Sequence, residues 1–252
     1  MSAAGLPTRH VLSYGGGVNT VALMLLLIRN QEPLDEVVFA DTGVEVPETY
    51  AYMEITRDYL ERYGIPFHII RKRNGKTLYE TCEARRVFPS AIWRWSTRDF
   101  KVHPILGYYR SLGTHVNQYL GIAHDEIWRM KDSPSPYVTN LYPLIDKKMT
   151  RADCVALIEA EGLPVPVKSG CFFCPFNSIG RWKWLYETHP ELFQKAVVLE
   201  EQSKHFPAQR LTDQVFREKA SVKLRDLASR FADGELPSSD PSLSACGGEC
   251  MT

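Results

Sequence analysis

Apolar residues in the first half of the chain fall into short runs that alternate with longer segments of helical pattern. The runs His10–Tyr14, Asp35–Ala40, Pro66–Ile70 and His115–Ile122 have the length and composition of strands buried in a parallel sheet. Helical segments lie between these runs, which is typical of strand–helix–strand units. The predicted fold class is therefore α/β, with a parallel sheet and helices on both of its faces.

Two helices in this half have clear boundaries. Thr20–Arg29 is apolar on nearly all sides, which predicts a buried helix. Pro47 suits the first turn of a helix, and the pattern then continues to about Tyr63 before Gly64 ends it.

The second half is predicted to be mostly helical. Thr150–Glu161 opens with Thr-Arg-Ala-Asp, a capping-box sequence, and stops at Gly162. Ser178–His205 and Gln209–Phe231 are further predicted helices, the first with an interruption near Pro190.

These patterns divide the chain into three parts. Residues 1–145 are the predicted nucleotide-binding α/β core, and residues 146–232 are a helical region. Residues 233–252 begin as a polar stretch rich in Pro and Ser, which predicts a flexible tail, yet they end in Cys-Gly-Gly-Glu-Cys-Met-Thr.

Composition narrows the class of protein. The chain has 252 residues, of which 44% are hydrophobic and 24% charged, as in ordinary globular proteins. It contains no run of about 18 apolar residues, and its first ten residues lack the pattern of a secretory signal. We therefore expect no membrane span and a cytoplasmic location.

Charge is balanced overall but not locally. Thirty basic and thirty acidic residues cancel, so an attraction for nucleic acid must come from one region. From Arg71 to Lys101 there are nine Lys and Arg residues against three acidic ones, and Trp93 and Trp95 lie among them. Cations and aromatic rings hold nucleic acids by phosphate contacts and stacking. This stretch is a candidate nucleic-acid surface; a surface of mixed charge beside a nucleotide is the alternative.

A glycine-rich turn follows the first predicted strand, where residues 12–20 read Leu-Ser-Tyr-Gly-Gly-Gly-Val-Asn-Thr. Glycines let backbone N–H groups crowd around phosphate oxygens, and the following helix directs its positive end at them. Ser13 and Thr20 add hydroxyl donors. The turn lacks the lysine of a Walker loop and does not fit the dinucleotide fingerprint. A plain strand-to-helix turn is the alternative.

Four of the six cysteines form two close pairs, Cys171 with Cys174 and Cys246 with Cys250. Two such pairs can supply four thiolates to Zn²⁺ or to an iron–sulfur cluster, and the metal would then tie the polar tail to the body. Disulfide exchange with the tail, or free thiols, are the alternatives. Cys82 and Cys154 stand alone on predicted helices and are expected to be packed and unreactive.

The turn and several later segments resemble the PP-loop ATP pyrophosphatases, and within them the phosphoadenosine-phosphosulfate-reductase-like group. Residues 16–20 occupy the S-G-G-x-[DS]-[ST] signature, with Gly15 where serine is usual and Asn19 where aspartate is frequent. Residues 39–43 resemble F-x-D-T-G, and residues 121–129 resemble G-x-x-x-D-E-x-x-R. Residues 95–105 are similar to C-T-x-x-[FY]-K-x-x-P-[IL], with Ser96 in place of the common cysteine. The resemblance implies a Rossmann-like sheet of the adenine nucleotide α-hydrolase (HUP) type.

The resemblance also implies that the protein binds ATP and cleaves it between the α- and β-phosphates. The implied nucleotide-binding residues come from the glycine turn and from the ends of later strands: Ser13, Gly15, Gly16, Gly17, Asn19, Thr20, Asp41, Thr42, Gly43 and Gly121. The implied catalytic residues are cations that neutralise charge and carboxylates that hold Mg²⁺: Arg98, Lys101, Arg129, Asp41, Asp125 and Glu126. The alternatives are a solvated helix face for the first two, and a helix N-terminal acid pair for Asp125 and Glu126.

Within the family, motif order and length are similar to the ATP pyrophosphatase component of Ssp-type and Dnd-type DNA phosphorothioation systems. This similarity implies that ATP activates a DNA phosphate and that a cysteine desulfurase supplies sulfur, with other DNA-modification subunits as partners. It also favours a [4Fe–4S] cluster over Zn²⁺ at the four paired cysteines.

Two other functions stay open. A sulfonucleotide reductase needs a nucleophilic tail cysteine, but its E-C-G-x-H ending is matched only at Glu249 and Cys250. A zinc-containing nucleic-acid-binding module with a non-hydrolysing nucleotide fold is the second, and Asn19 is its best support.

Overall fold

One parallel sheet organises the computed structural model, which describes residues 7–89, 94–203 and 223–234. Its strands are β1 (Thr8–Tyr14), β2 (Glu36–Asp41), β3 (Phe67–Arg71), β4 (His115–Leu120) and β5 (Val138–Leu141), in the order β3-β2-β1-β4-β5. The chain runs outward from β1 to β3 and then returns to β4 on the other side of β1. A crevice opens where the order reverses, at the carboxyl ends of β1 and β4, and ligands bind at such crevices.

Helices connect and cover the strands. They are α1 (Val18–Arg29), α2 (Pro47–Glu61), α3 (Leu78–Arg85), α4 (Trp95–Thr97), α5 (His103–Leu112), α6 (Pro143–Asp146), α7 (Arg151–Ala160), α8 (Ile179–Thr188), α9 (Pro190–Gln202) and α10 (Leu224–Ala232). A π-helical turn, Arg98–Val102, joins α4 to α5, and a 3₁₀ segment, His124–Arg129, follows β4. Within the described ranges, no helix is long and apolar enough to cross a membrane.

Apolar packing covers both faces of the sheet. Helix α1 is buried along nearly its whole length, because α7 packs on it through Cys154 and Ile158 while the sheet lies on its other side. On the opposite face, Ile105 and Tyr109 of α5 pack against β1, β2 and β4. These two layers explain why β2, in the middle of this half of the sheet, is buried along its whole length.

The C-terminal helices pack beside the carboxyl edge of the sheet. Trp182 of α8, Phe193 of α9 and Phe231 of α10 share one apolar cluster with Val44 after β2 and with Phe100 in the π-helical turn. This packing brings the loop before α8 over the glycine turn. The helical region therefore contributes to the crevice at the end of β1.

Most predicted elements are confirmed. The predicted strands and the two N-terminal helices end within two residues of the observed boundaries. Thr150 forms a complete capping box with Asp153, and His189 interrupts the chain between α8 and α9 just before Pro190. Of the predicted helix Gln209–Phe231, α10 begins at Leu224, and residues 209–222 lie outside the described residues.

Gly121 marks the closest approach between β4 and α1. A Cβ at this position would lie 2.5 Å from Cγ2 of Thr20 and 2.8 Å from both its Cα and its backbone nitrogen. Backbone atoms cannot turn aside as a side chain can, so we expect Gly121→Ala to lower the free energy of unfolding by about 1–3 kcal/mol in urea titrations.

Gly107→Ala in α5 is the matched control for this prediction. A Cβ at Gly107 meets nothing within 4 Å, so alanine should leave the free energy of unfolding unchanged or raise it by up to about 1 kcal/mol. Equal free energies for the two variants would contradict the close approach at Gly121.

Candidate functional site

The turn from β1 into α1 presents the start of a helix with nothing acidic in its first turn. Gly17 is the N-cap and has no side chain to cap the first turn. Gly16 has a φ of +71°, in the left-handed region that favours glycine. Oγ1 of Thr20 donates to the carbonyl oxygen of Gly17 at 3.0 Å and accepts from the N–H of Gly15 at 3.4 Å. The braced turn therefore directs the positive end of α1 toward an anion.

Four cationic side chains surround the start of α1 in a pocket that we call the α1 pocket, between the glycine turn and residues 120–122. They are Lys101 of the π-helical turn, Arg129 of the 3₁₀ segment, Arg151 at the start of α7 and Lys168 of the loop before α8. Among the described residues that line the α1 pocket, Glu126 is the single carboxylate. This concentration of positive charge suits a polyphosphate.

Glu126 joins the two walls of the α1 pocket. Its Oε2 accepts from Nδ2 of Asn19 at 3.0 Å and from Nη1 of Arg129 at 2.9 Å. Arg129 is 7% exposed, so the ion pair is largely shielded from water. Oδ1 of Asn19 and Nε of Arg129 are buried without a hydrogen-bond partner among the described residues. Buried polar groups are normally paired, so each atom has hydrogen-bonding capacity that the described residues do not use.

Lys101 is held where the α1 pocket meets two further cavities. Its Nζ lies 3.6 Å from Oε1 of the buried Glu45. Oγ1 of Thr42 donates to the same Oε1 at 3.2 Å. The ion pair fixes the lysine between β2 and the pocket, so Lys101 is a positioned cation.

Residues 168–170 close over the glycine turn. A Cβ on Gly17 would lie 2.9 Å from Oγ of Ser169, which explains the need for glycine there. Nη2 of the buried Arg181 donates to the carbonyl oxygen of Lys168 at 2.9 Å, and its guanidinium lies 3.7 Å from the ring centre of Trp184. Burial lowers the pKa of Arg181 to about 10. Arg181 thus positions the segment that carries Lys168 into the α1 pocket.

A second cavity, of about 300 Å³, adjoins the α1 pocket at Lys101 and Leu120; we call it the β4 cavity. Apolar side chains of α5 and β4 form one wall, and Ser13, Gln118 and Asn140 add polar groups. Nε2 of Gln118 donates to Oδ1 of Asn140 at 2.9 Å, which orients both amides. An apolar cavity with a few ordered polar groups suits a flat heterocycle such as a nucleobase.

The structure brings many of the predicted residues together in the α1 pocket. They are Gly15, Gly17, Asn19, Thr20, Lys101, Gly121, Glu126 and Arg129. Gly16 shapes the turn, and Ser13 lines the β4 cavity instead. Sequence reasoning missed Arg151 and Lys168, although Lys168 lies three residues before Cys171 of the predicted cysteine pair.

Asp41 and its neighbours differ from the expectation, since they do not line the α1 pocket. The Asp41 carboxylate accepts from the N–H of Gly43 at 2.8 Å, the hydroxyl of Tyr50 at 2.9 Å and Nε of Arg71 at 2.8 Å. Thr42 is engaged with Glu45, and a Cβ on Gly43 would lie 2.4 Å from Cγ2 of Thr77. These contacts make the loop after β2 rigid.

Arg98 and Asp125 also lie outside the residues that line the α1 pocket. The Arg98 side chain is 62% exposed and donates to Oδ1 of Asp99 at 2.8 Å. Oδ2 of Asp125 accepts from the N–H of Arg151 at 3.5 Å, at the first residue of α7. Across the described ranges, no three acidic, histidine or cysteine side chains form a metal-binding group, so Asp41, Asp125 and Glu126 do not converge.

Cys171 and Cys174 lie on one turn beside the α1 pocket. The N–H of Cys174 donates to the carbonyl oxygen of Cys171 at 3.1 Å, and Cys171 pairs with Glu45 in a single β-bridge. Both thiols line a small cavity together with Ser96 and Lys101, which we call the thiol cavity. Cys246 and Cys250, the other half of the predicted metal site, lie outside the described residues.

Cys82 and Cys154 are fully buried, as predicted. Burial raises the pKa of each thiol to about 12, so both stay protonated at neutral pH.

The contact between Asn19 and Glu126 predicts the effect of restoring the aspartate that is frequent in the family. Asn19→Asp would place a second carboxylate about where Nδ2 now lies, 3.0 Å from Oε2 of Glu126. We expect the affinity for a non-hydrolysable ATP analogue to fall roughly 10- to 100-fold at pH 7 in calorimetric titrations, because a charged hydrogen bond is lost.

Adding Glu126→Gln to Asn19→Asp is the control. The glutamine amide can donate to the new aspartate, so the double variant should recover most of the lost affinity. Wild-type affinity in the single variant, or no recovery in the double variant, would contradict the proposed contact.

Several known proteins are similar to this chain. Residues 9–183 match the model of the phosphoadenosine phosphosulfate reductase domain family. Two uncharacterized proteins of Methanocaldococcus jannaschii are each 24% identical, over 196 and 202 residues, and each match takes in 73% of this chain. The matches cover 46% and 40% of those proteins, so the chain spans less than half of their length.

Two solved structures are similar in fold. The phosphoadenylyl-sulfate reductase from Candida auris, in its phosphate complex, has a TM-score of 0.49 and 18% identity over 69% of this chain and 85% of that one. The U34-tRNA thiolase NcsA from Methanococcus maripaludis, with its [4Fe–4S] cluster, has a TM-score of 0.49 and 16% identity over 88% and 80%. Since the family model takes in well over half of the sequence, the chain belongs to the phosphoadenosine phosphosulfate reductase domain family.

Proposed function

We propose that this protein is an ATP pyrophosphatase that transfers the adenylyl group of ATP to a nucleic-acid phosphate, as the activating step of DNA phosphorothioation. The observation that carries the proposal is the start of α1, which faces a pocket lined by four cations and one carboxylate. In the second step, the terminal sulfur of a persulfide attacks the activated phosphorus and AMP leaves, after which a thiol reductant cleaves the sulfur–sulfur bond and becomes part of a disulfide. A cysteine desulfurase would supply the sulfur, and other DNA-modification subunits would present the DNA.

The positive charge of the α1 pocket is complementary to the negative charge that develops during this reaction. As the bond between the α- and β-phosphates breaks, negative charge grows on the oxygen that leaves with pyrophosphate. The amides at the start of α1 would hold the β- and γ-phosphates, and the cations would neutralise the growing charge. The adenine would lie in the β4 cavity, because Lys101 and Leu120 line both spaces.

Magnesium fits this pocket through one protein ligand. Glu126 offers the carboxylate that Mg²⁺ prefers, and Asn19 and Arg129 orient it through Oε2. Mg²⁺ commonly uses one or two carboxylates together with substrate phosphates. When bound, the ion would add positive charge at the phosphates, while the protein's own cations fix their position.

A basic groove along β3 and α5 supports a nucleic-acid acceptor. Its volume is about 880 Å³, and its basic residues include Lys72, Arg73 and Arg110, together with Arg71, which pairs with Asp41. Asp99 is the single carboxylate among its described lining residues, and Arg98 already pairs with it. In a chain of zero formal net charge, this concentration of cations favours a polyanionic partner.

The thiol pair supports a role for sulfur. Cys171 and Cys174 are separated from the α1 pocket only by Lys101, which lines both spaces. They would supply two ligands to a [4Fe–4S] cluster or Zn²⁺, with Cys246 and Cys250 supplying the others. Such a site would attach the C-terminal tail beside the nucleotide.

The first test is the identity of the products. With Mg²⁺ and DNA, ATP labelled at the α- or γ-phosphate should give labelled AMP and labelled pyrophosphate on thin-layer plates. ADP with inorganic phosphate would contradict the proposal, and release of sulfite from phosphoadenosine phosphosulfate would favour a reductase.

Lys101→Met should lower the rate of AMP formation by about 100-fold or more, because one preorganised cation is lost.

Arg98→Met is the matched control for Lys101→Met. Arg98 lies on the same π-helical turn, but its side chain is exposed and paired with Asp99. We therefore expect Arg98→Met to change the rate by no more than a few-fold. Equal losses in the two variants would contradict the placement of the two side chains.

The basic groove predicts a salt-dependent contact with nucleic acid. Arg73 and Arg110 are exposed, and replacing both with alanine should weaken binding of a labelled oligonucleotide in fluorescence anisotropy. If both contact phosphates, the slope of log affinity against log salt concentration should become shallower by about two.

Arg29→Ala with Arg62→Ala provides the matched control. These arginines lie at the C-terminal ends of α1 and α2, which pack on the opposite face of the sheet from α5. Their loss should leave the slope unchanged. Identical slopes for the two double variants would exclude the groove as the binding surface.

A further inference from the structure

Trp128 is the most exposed large apolar side chain in the described part of the protein. It is 67% exposed, and its neighbours Ile127 and Met130 are 46% and 51% exposed. Three of the five exposed large hydrophobic residues therefore fall within four positions of one short segment. Exposed apolar groups concentrated in this way mark an interaction site.

This exposed segment forms a rim of the α1 pocket. Glu126 and Arg129 both line the pocket, and Nη1 of Arg129 donates to Oε2 of Glu126 at 2.9 Å. Trp128 directly precedes Arg129, so their Cα atoms are about 3.8 Å apart. A strand whose phosphate binds in the α1 pocket would therefore pass close to Trp128.

The other described tryptophans pack against residues within the fold. Trp182 is fully buried, Trp184 lies under the guanidinium of Arg181, and Trp95 packs edge-on against Phe100 with Arg85 over its ring. Trp93, the other predicted stacking residue, lies outside the described residues. Of the tryptophans that the structure describes, Trp128 is therefore the one whose ring faces solvent beside the site.

Charge around Trp128 indicates the class of ligand. The segment itself carries Asp125, Glu126 and Asp132 beside Arg129 and Lys131, and Arg129 pairs with Glu126. The neighbouring α1 pocket adds the cations Lys101, Arg151 and Lys168. An aromatic ring at the edge of a cationic pocket suits single-stranded nucleic acids, since the cations contact phosphates and the ring stacks on a base. An apolar protein partner would gain nothing from these cations.

We infer that Trp128 is a stacking platform for a base of the acceptor strand, next to the phosphate that is activated. This inference rests on the proposed function and names the form of its substrate. A base inside a regular duplex has both faces covered by its neighbours, so it must leave the stack to lie on Trp128. Single-stranded or locally opened nucleic acid should therefore bind better than an intact duplex.

The test measures strand binding by the full chain with three substitutions at one position. Trp128→Ala removes the ring, Trp128→Leu keeps an apolar side chain without a ring, and Trp128→Phe keeps a smaller ring. Fluorescein-labelled single-stranded DNA, single-stranded RNA and duplex DNA of the same sequence are titrated in anisotropy experiments. The two single strands establish whether the acceptor carries a 2′-hydroxyl.

For single strands, we expect the alanine and leucine variants to lose affinity by about 5- to 100-fold and the phenylalanine variant to retain most of it. Strand binding should also quench tryptophan emission in the wild-type protein but much less in Trp128→Phe. Tyr63→Ala is the matched control, because Tyr63 is a 54% exposed aromatic residue just beyond the C-terminal end of α2. It should leave strand affinity unchanged.

Two outcomes would overturn the inference. Wild-type affinity in Trp128→Leu would show an apolar contact without stacking, and equal affinities in all variants would show no contact at all. Binding of an ATP analogue and release of AMP are measured in the same variants. Ring-dependent strand binding without AMP release would contradict the proposed function alone, whereas AMP release with no effect of Trp128 would contradict this inference alone.

Discussion

The contact of Glu126 with Asn19 and Arg129 is the interaction on which the rest of the site depends. Four cations and a helix N-terminus converge on one small pocket, and their mutual repulsion opposes that arrangement. The carboxylate reduces this repulsion and ties the 3₁₀ segment after β4 to the first turn of α1. Among the described residues, Oδ1 of Asn19 and Nε of Arg129 have no hydrogen-bond partner. Since four cations outnumber one carboxylate in the described lining, the pocket keeps a net positive charge for an anionic ligand.

The order of the strands explains why these groups meet. Because the chain returns to β4 beside β1, the glycine turn and the 3₁₀ segment leave neighbouring strands at the same edge of the sheet. Gly121 lets the end of β4 approach the backbone of Thr20. The apolar cluster of the C-terminal helices then brings Lys168 over the same turn, through the carbonyl contact of Arg181. Parts of the chain that are far apart in sequence thus supply one site.

Local features were predictable from the sequence because their causes are local. The glycine turn, the burial of α1 and the capping box at Thr150 each depend on residues within a few positions. Strand β5 was missed because its four residues, Val-Thr-Asn-Leu, bury one side chain and show no clear alternation. Helix α3 was missed although Thr77 and Glu80 form a capping box.

The sequence could not predict which charged residues form ion pairs, because that depends on the distances between them in the folded chain. Asp41 was expected at the nucleotide, but Arg71, thirty positions later, lies on the neighbouring strand and binds its carboxylate. Arg98 was expected to face the phosphates, but it pairs with the adjacent Asp99 on the outside of the π-helical turn. A motif identifies candidate residues in the sequence. Which of those residues lie in contact depends on how the sheet and its helices pack.

The π-helical turn contributes side chains to several of the cavities described above. Residues two positions apart on such a turn point to nearly opposite sides of its axis. Asp99 faces the basic groove, whereas Lys101 faces the α1 pocket, the β4 cavity and the thiol cavity. A nucleotide, an acceptor strand and a sulfur-bearing group would therefore all lie against one five-residue turn. Since Glu45 holds Lys101 by an ion pair, a ligand that draws the lysine toward phosphate must weaken that contact. Cys171 pairs with the backbone of Glu45, so one glutamate contacts both the lysine of the α1 pocket and the segment that carries the thiol pair.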